Sequence, residues 1–303
     1  MKKLLLCFAA ATALMANAQQ FRVVSNQQLD LGQQSETFHP TFTPDGNSIL
    51  LTSENYNGLG IYNFATKKYT KLTDMATAGW EPAVSEDGKT IITRSSDFHN
   101  STVTLYTLDV ATKALKPFAV NINHVNAVSF SNGKVSYSVK GVLQTKQVSN
   151  SISNALSRDV FVATNEDLKL EIYRNGKATL FDPFGGDAQY VWASVSPNGQ
   201  KILFVSHGIA YVCNLDGSNM VTLGKMGAPK WRGNSHIVAM LDEDDGYFYT
   251  ESSIVIMKAD GTGMQQLTNS NEISMFPSVS PDGSQIAYHT ADGKVYVMTI
   301  QEK

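Results

Sequence analysis

The chain has 303 residues, with 24 Lys and Arg against 27 Asp and Glu and a net charge of −3. A mildly acidic chain has no electrostatic case for binding nucleic acid or an anionic lipid surface. Its two cysteines, Cys7 and Cys213, leave no disulfide framework.

The N-terminus comes first. Met1-Lys-Lys is a positive stretch, residues 4–14 are apolar, and Ala16-Asn-Ala18 is a small-x-small cleavage site before Gln19. That pattern predicts a secretory signal peptide over residues 1–18, too short to span a membrane. The expected destination is the periplasm or the medium. Cys7 follows Lys3 by only four residues, so it reads as part of the apolar stretch rather than a lipid-attachment site. Removing the segment takes two lysines and no acid, so the net charge moves from −3 to −5. Cys213 then remains alone in Ala210-Tyr-Val-Cys-Asn214, an apolar strand in which it is expected to be buried and inert. No later run is long enough for a transmembrane helix. Residues 19–303 read as one domain because a single repeat runs through nearly all of them.

That repeat begins with Phe38-His-Pro-Thr-Phe-Thr-Pro-Asp-Gly-Asn-Ser-Ile-Leu50 and returns as Trp80-Glu-Pro-Ala-Val-Ser-Glu-Asp-Gly-Lys-Thr-Ile-Ile92. It returns again as Trp192-Ala-Ser-Val-Ser-Pro-Asn-Gly-Gln-Lys-Ile-Leu-Phe204 and Phe276-Pro-Ser-Val-Ser-Pro-Asp-Gly-Ser-Gln-Ile-Ala-Tyr288. Each copy reads as a strand, a tight two-residue Asp-Gly or Asn-Gly turn, and a second apolar strand. A hairpin at this period predicts an all-β fold, a β-propeller of four-stranded blades. The unit from Gly79 shows strands at 82–85, 90–94, 102–108 and 114–118. The interval from Gly133 to Gly199 is too long for one unit. Residues 154–164 read as a worn copy, with outer strands at 168–173 and 178–181, which gives seven blades, the third trimmed. If the stretch is an insertion instead, there are six. The last unit ends at its third strand, 294–300, and the alternating segment 21–29 is expected to supply the fourth and close the ring.

The phrase Pro-x-apolar-Ser-Pro-Asp-Gly, followed by a strand, an Asp-Gly turn and Leu-Thr, resembles the TolB-type repeat, also called the PD40 or WD40-like repeat. The resemblance covers most of residues 35–303. It implies a propeller from a family that includes periplasmic TolB, an interaction component of the cell envelope, together with oligopeptidase propellers and some oligogalacturonate lyases. It also implies a face for ligands, formed by the loops leading into each first strand and those joining strands two and three.

The leading loops carry His39, Trp80-Glu81, His124, Trp192 and Lys230-Trp231. The other set carries Tyr56, His99, His207, Asp242-Glu-Asp-Asp245 and His289. The candidate ligand-binding face is therefore His39, Glu81, His124, Trp192, His207, Trp231, Asp244, Tyr247 and His289. Trp80, Trp192 and Phe276 recur in register and are expected to pack between blades. Asp242-Glu-Asp-Asp-Gly246 lacks the alternating ligands of a calcium loop and reads as a solvated acidic turn. The rings Tyr247-Phe-Tyr249 beside it suit a partner or a sugar. Gly58, Gly60, Gly185 and Gly186 read as turn glycines, and there is no Gly-x-Ser-x-Gly elbow and no phosphate loop.

No catalytic residue, metal site or cofactor is assigned. The expected function is an exported, non-enzymatic, monomeric propeller that binds a cell-envelope protein or a glycan. The alternative is a metal-dependent carbohydrate-active enzyme resembling oligogalacturonate lyase, with His39, His124, His207 and His289 as metal ligands drawn from separate blades.

Overall fold

The computed structural model describes residues 20–32, 36–123, 125–131, 133–139, 142–148, 160–175 and 177–303. The proposed signal segment and residues 154–159 of the worn copy lie outside them.

The Asp-Gly phrases are hairpin turns with four connecting residues rather than two. In the first copy Thr43 N–H donates to Ser48 O at 3.0 Å and Gly46 N–H donates back to Thr43 O at 2.9 Å. Pro44 thus holds the second position of the turn, which its fixed φ suits, and the glycine holds the last. Gly46, Gly88, Gly199 and Gly283 all have φ between +70° and +72°, which a side chain would strain. The hydroxyl that ends each first strand also binds the turn. Thr43, Ser85, Ser196 and Ser280 donate to Asp45, Asp87, Asn198 and Asp282 at 2.5, 2.7, 2.8 and 2.6 Å. The repeat phrase is therefore the chemistry of one self-bracing turn.

Those hairpins build seven antiparallel sheets arranged as a ring, which settles the blade count at seven. Their inner strands are Phe38–Phe42, Ala83–Val84, Val125–Ser131, Val160–Thr164, Val191–Val195, Gly227–Arg232 and Ser274–Val279. Among the described residues, five sheets have four strands and blades three and four have three. Blade four comprises Val160–Thr164, Leu170–Arg174 and Lys177–Phe181, where the sequence shows its worn copy.

Closure joins the two ends of the chain. Strand Phe21–Gln28 runs antiparallel to Val295–Glu302, from Phe21 opposite Glu302 to Gln28 opposite Tyr296. Phe21 is fully buried among Val238, Ile256, Ile286 and Met298, and so belongs to the core of blades six and seven. The Gln265 amide brackets it, accepting from Phe21 N–H at 3.0 Å and donating to Phe21 O at 2.8 Å. An edge that would otherwise invite pairing with other chains is thus covered.

The core lies between blades rather than within them. Ile49 and Leu51 of blade one meet Ala287 and Val297 of blade seven, and Leu203 and Val205 of blade five meet Ile237 and Val255 of blade six. Cys213 is buried between blades four and five, and burial, with Asp216 nearby, pushes its thiol up to about 11. One glycine departs from expectation. Gly60 lies inside the strand Leu59–Asn63, where a Cβ would overlap the Tyr69 ring, so it is a packing glycine and not a turn. Among the described residues no helix is long and apolar enough to cross a membrane.

Candidate functional site: the central cavity

All seven inner strands face a cavity of about 520 Å³ at the centre of the ring. Its lining is set by a bulge repeated in these strands. Pairing with the second strand shifts register between Phe38 and Thr41, Val191 and Ser194, Gly227 and Lys230, and Met275 and Ser278. At each shift one residue takes positive φ: His39 (52°), Trp192 (52°), Ala228 (44°) and Phe276 (49°), with Glu81 (46°) at the same place in blade two. A proline follows four of these five, and having no N–H it gives up no ladder bond at the bulge. The bulge re-aims the side chain before it toward the mouth of the cavity.

Counting back from the Asp-Gly turn, the residue equivalent to His39, Trp192 and Phe276 is Glu81, and Trp80 stands one place earlier. Phe276 packs against the core shared by blades six and seven, as expected, while also facing the cavity. Trp80 and Trp192 remain 46% and 40% exposed and line the cavity, as does Phe276. For Trp192 and Phe276 the reason is the bulge, which turns the side chain toward the cavity; Trp80 lines it from the position before the bulge residue Glu81.

The rings form a continuous wall across blades seven, one and two. His39 stacks on Tyr56 at 4.2 Å between centroids, and Trp80 meets Tyr56 edge-on at 4.6 Å. Phe276 meets His39 at 4.5 Å and stacks on His289 at 5.5 Å. Such geometries add to simple area burial. Both imidazoles are neutral at neutral pH. Burial, then His289 and Lys230, lowers His39 to about 3, and burial lowers His289 to about 4 against the Thr290 carbonyl.

Three charges complete the site. Lys230 keeps solvent-accessible surface inside the cavity, yet the blades encircle it, and this enclosure lowers its pKa while Glu81 opposes the shift. The buried guanidinium of Arg94, on strand Thr90–Asp97, lies 3.9 Å from the Glu81 carboxylate. Glu81 also raises the pKa of the Tyr56 phenol, after burial. The Glu81 carboxylate thus acts on both cations and on the aromatic wall.

The remaining sequence candidates are dispersed. His207 is exposed in the turn between the second and third strands of blade five, with Ser206 Oγ 3.1 Å from its Nδ1. Trp231 is a tie between blades, its Nε1 donating to Ser194 O at 3.4 Å. His289 is buried behind Phe276 within the strand Gln285–Thr290, not in a loop. Asp244 and Tyr247 belong to the hairpin joining His236–Asp244 to Tyr249–Lys258, whose tip leaves Tyr247 91% exposed. Asp245 braces that tip, accepting from the backbone of Tyr247 and Phe248 at 2.9 and 2.8 Å. His124 lies outside the described residues. Of the histidines proposed as metal ligands, His39 and His289 meet only as rings, 5.2 Å apart edge to face. Among the described residues no three His, Cys, Asp or Glu side chains are grouped to hold a metal.

Arg94 and Phe161 contribute to the site without having been named from the sequence, and Tyr56 and Lys230 were placed on the loop face but not among the candidate binding residues. The signal for Lys230 was present in the sequence: it falls two residues after the bulge position, where blades one, two and five place Thr41, Ala83 and Ser194.

No protein-family model matches the chain. A stretch of 84 residues, 27% of this chain, is 32% identical to the Tol-Pal system protein TolB of Francisella tularensis subsp. holarctica (strain OSU18). It is 31% identical to the same protein of Francisella tularensis subsp. tularensis (strain WY96-3418). The match spans only 19% of the length of these relatives. Among solved structures, TolB from Acinetobacter baumannii superposes with a TM-score of 0.53 over 82% of this chain and 58% of that one. The two are 15% identical, so that likeness is one of fold.

Proposed function

We infer a function from the premise that the chain is a TolB-like propeller of the PD40 repeat family: it is an exported, non-enzymatic binding module whose central cavity receives a segment of a cell-envelope protein. The observation that carries this reading is the aromatic wall. Trp80 and Trp192 present exposed ring faces to a preformed cavity held by seven blades. Rigid aromatic surface in a concave site is the form that interface hot spots take, because the rings lose little freedom when they are covered. Relatives named as Tol-Pal system proteins point to the envelope as the place to look. Export rests on the signal segment at residues 1–18.

The test is capture of envelope proteins on the immobilised chain, with paired variants. Trp192→Ala with Phe276→Ala is expected to lose the captured protein, while Tyr247→Ala with Phe248→Ala, away from the cavity, retains it. Equal capture by both pairs would refute the cavity as the site.

A further inference from the structure

Resting on that reading, we propose that the inserted segment carries a carboxylate and that Lys230 is its anchor, with Arg94 as the second cation behind Glu81. The argument begins with an imbalance. The chain as a whole is acidic, with a net charge of −3, yet among the described residues the cavity and its wall hold Lys230 and Arg94 against the carboxylate of Glu81. Among the described residues no acid lies within ion-pair distance of Lys230, and Glu81 approaches Arg94 only to 3.9 Å. Lys230 is solvent-exposed inside the cavity and has no close counter-ion, so it is free to pair with an incoming anion.

Position strengthens the case. Two residues past the bulge, blades one, two and five line the cavity with Thr41, Ala83 and Ser194. Blade six alone among these four sets a long charged side chain there, so Lys230 reaches into space that its counterparts leave open. It shares the cavity with Trp192, Phe276 and His39, apolar or neutral surfaces that would strengthen an ion pair once a ligand displaces the water between them. The ligand this arrangement fits is an acidic residue flanked by apolar or aromatic ones. Glu81 then acts as a competitor: an incoming carboxylate shares its cations and meets its repulsion.

The test uses the full chain and two blocked peptides, acetyl-Phe-Glu-Phe-amide and its Gln counterpart, followed by the fluorescence of the cavity tryptophans. The Glu peptide is expected to bind about tenfold or more tightly than the Gln peptide. Lys230→Met should remove that preference with an unchanged melting temperature. Glu81→Gln should strengthen Glu-peptide binding, a gain that a merely structural role would not produce. Equal binding of the two peptides, or a preference that survives Lys230→Met, overturns the anchor. So does binding of digalacturonate in place of either peptide, which would make the cavity a sugar-acid site, and so does no binding of any of the three. Failure here is distinguishable from failure of the parent reading. If envelope-protein capture survives Lys230→Met but not Trp192→Ala with Phe276→Ala, the binding propeller stands and only the carboxylate falls.

Discussion

Blades three and six are both antiparallel meanders, with three and four strands among the described residues, and they differ in how much buried apolar surface holds them. In blade six, Ile237, Val238, Ile254 and Ile256 are fully buried and join cores with blade five on one side and blade seven on the other. In blade three the outer strand Val142–Gln147 has no buried residue, and among the described residues no buried apolar cluster ties that blade to either neighbour. The ring therefore has a firm arc and a thin one. A closed ring tolerates this because each blade needs to be held only by its neighbours and by closure. Cavity residues sort the same way: Lys230, Phe276, His39 and Tyr56 stand on or beside the firm arc, whereas blade three offers Val128 and Ser129.

The largest effects should come from attacking the firm side. Ile237→Ala is expected to destabilise by about 2–5 kcal/mol in denaturant unfolding, the cost of an unfilled core cavity. Val142→Ala in blade three, a position already 59% exposed, should cost about 0.5 kcal/mol or less. Comparable losses at the two sites would erase the distinction. Hydrogen exchange offers a second approach: amides of 236–241 should open only near the global unfolding free energy, and those of 134–139 at a lower one.

Acid should act through the partly and fully buried histidines and the turn carboxylates. His289 is lowered to about 4 in the fold, so the unfolded chain takes up its proton first as pH falls. Its contribution is complete above the ordinary histidine value of about 6.5 and is lost as pH falls from there toward 4. His289→Phe preserves a ring against Phe276 and should flatten that part of the stability curve. Asp282 responds lower down. Hydrogen bonds from the Ser280 hydroxyl and the Ser284 backbone and hydroxyl depress its pKa. Its stabilisation is therefore present above the unfolded carboxylate value and fades below it, and Asp282→Asn should soften that loss. The smallest effect is reserved for the exposed hairpin tip, where Tyr247→Ala should change stability by no more than about 0.5 kcal/mol.

Blades one, two, five and seven were the legible ones. Copies at Phe38, Trp80, Trp192 and Phe276 are recognisable because Ser or Thr, Asp or Asn, and Gly are each required by one turn. Ring closure by residues 21–28 could be read from a strand with no partner of its own facing a last blade one strand short. The site was only half legible. His39, Glu81 and Trp192 announce themselves through the repeat, but the bulge that turns such residues inward is a backbone property marked only by the proline that follows four of the five positions. Lys230 hides beside the more conspicuous Trp231, which proves to be a tie between blades. Arg94 closes the apolar run Ile91-Ile-Thr93 and reads as the exposed end of a strand, although it is buried against Glu81. Loop assignment misplaced His289 because a strand-end residue and a loop residue look alike when the strand is apolar up to its last position.

The central claim, that the cavity receives a partner's segment, is tested most directly by site-specific photo-crosslinking in the intact cell. A photoreactive residue at position 192, in the cavity, is compared with one at position 180, on the outer strand of blade four. The account predicts a discrete protein adduct from position 192 and none from position 180. Adducts of equal yield at both positions, or none from the cavity, would contradict it.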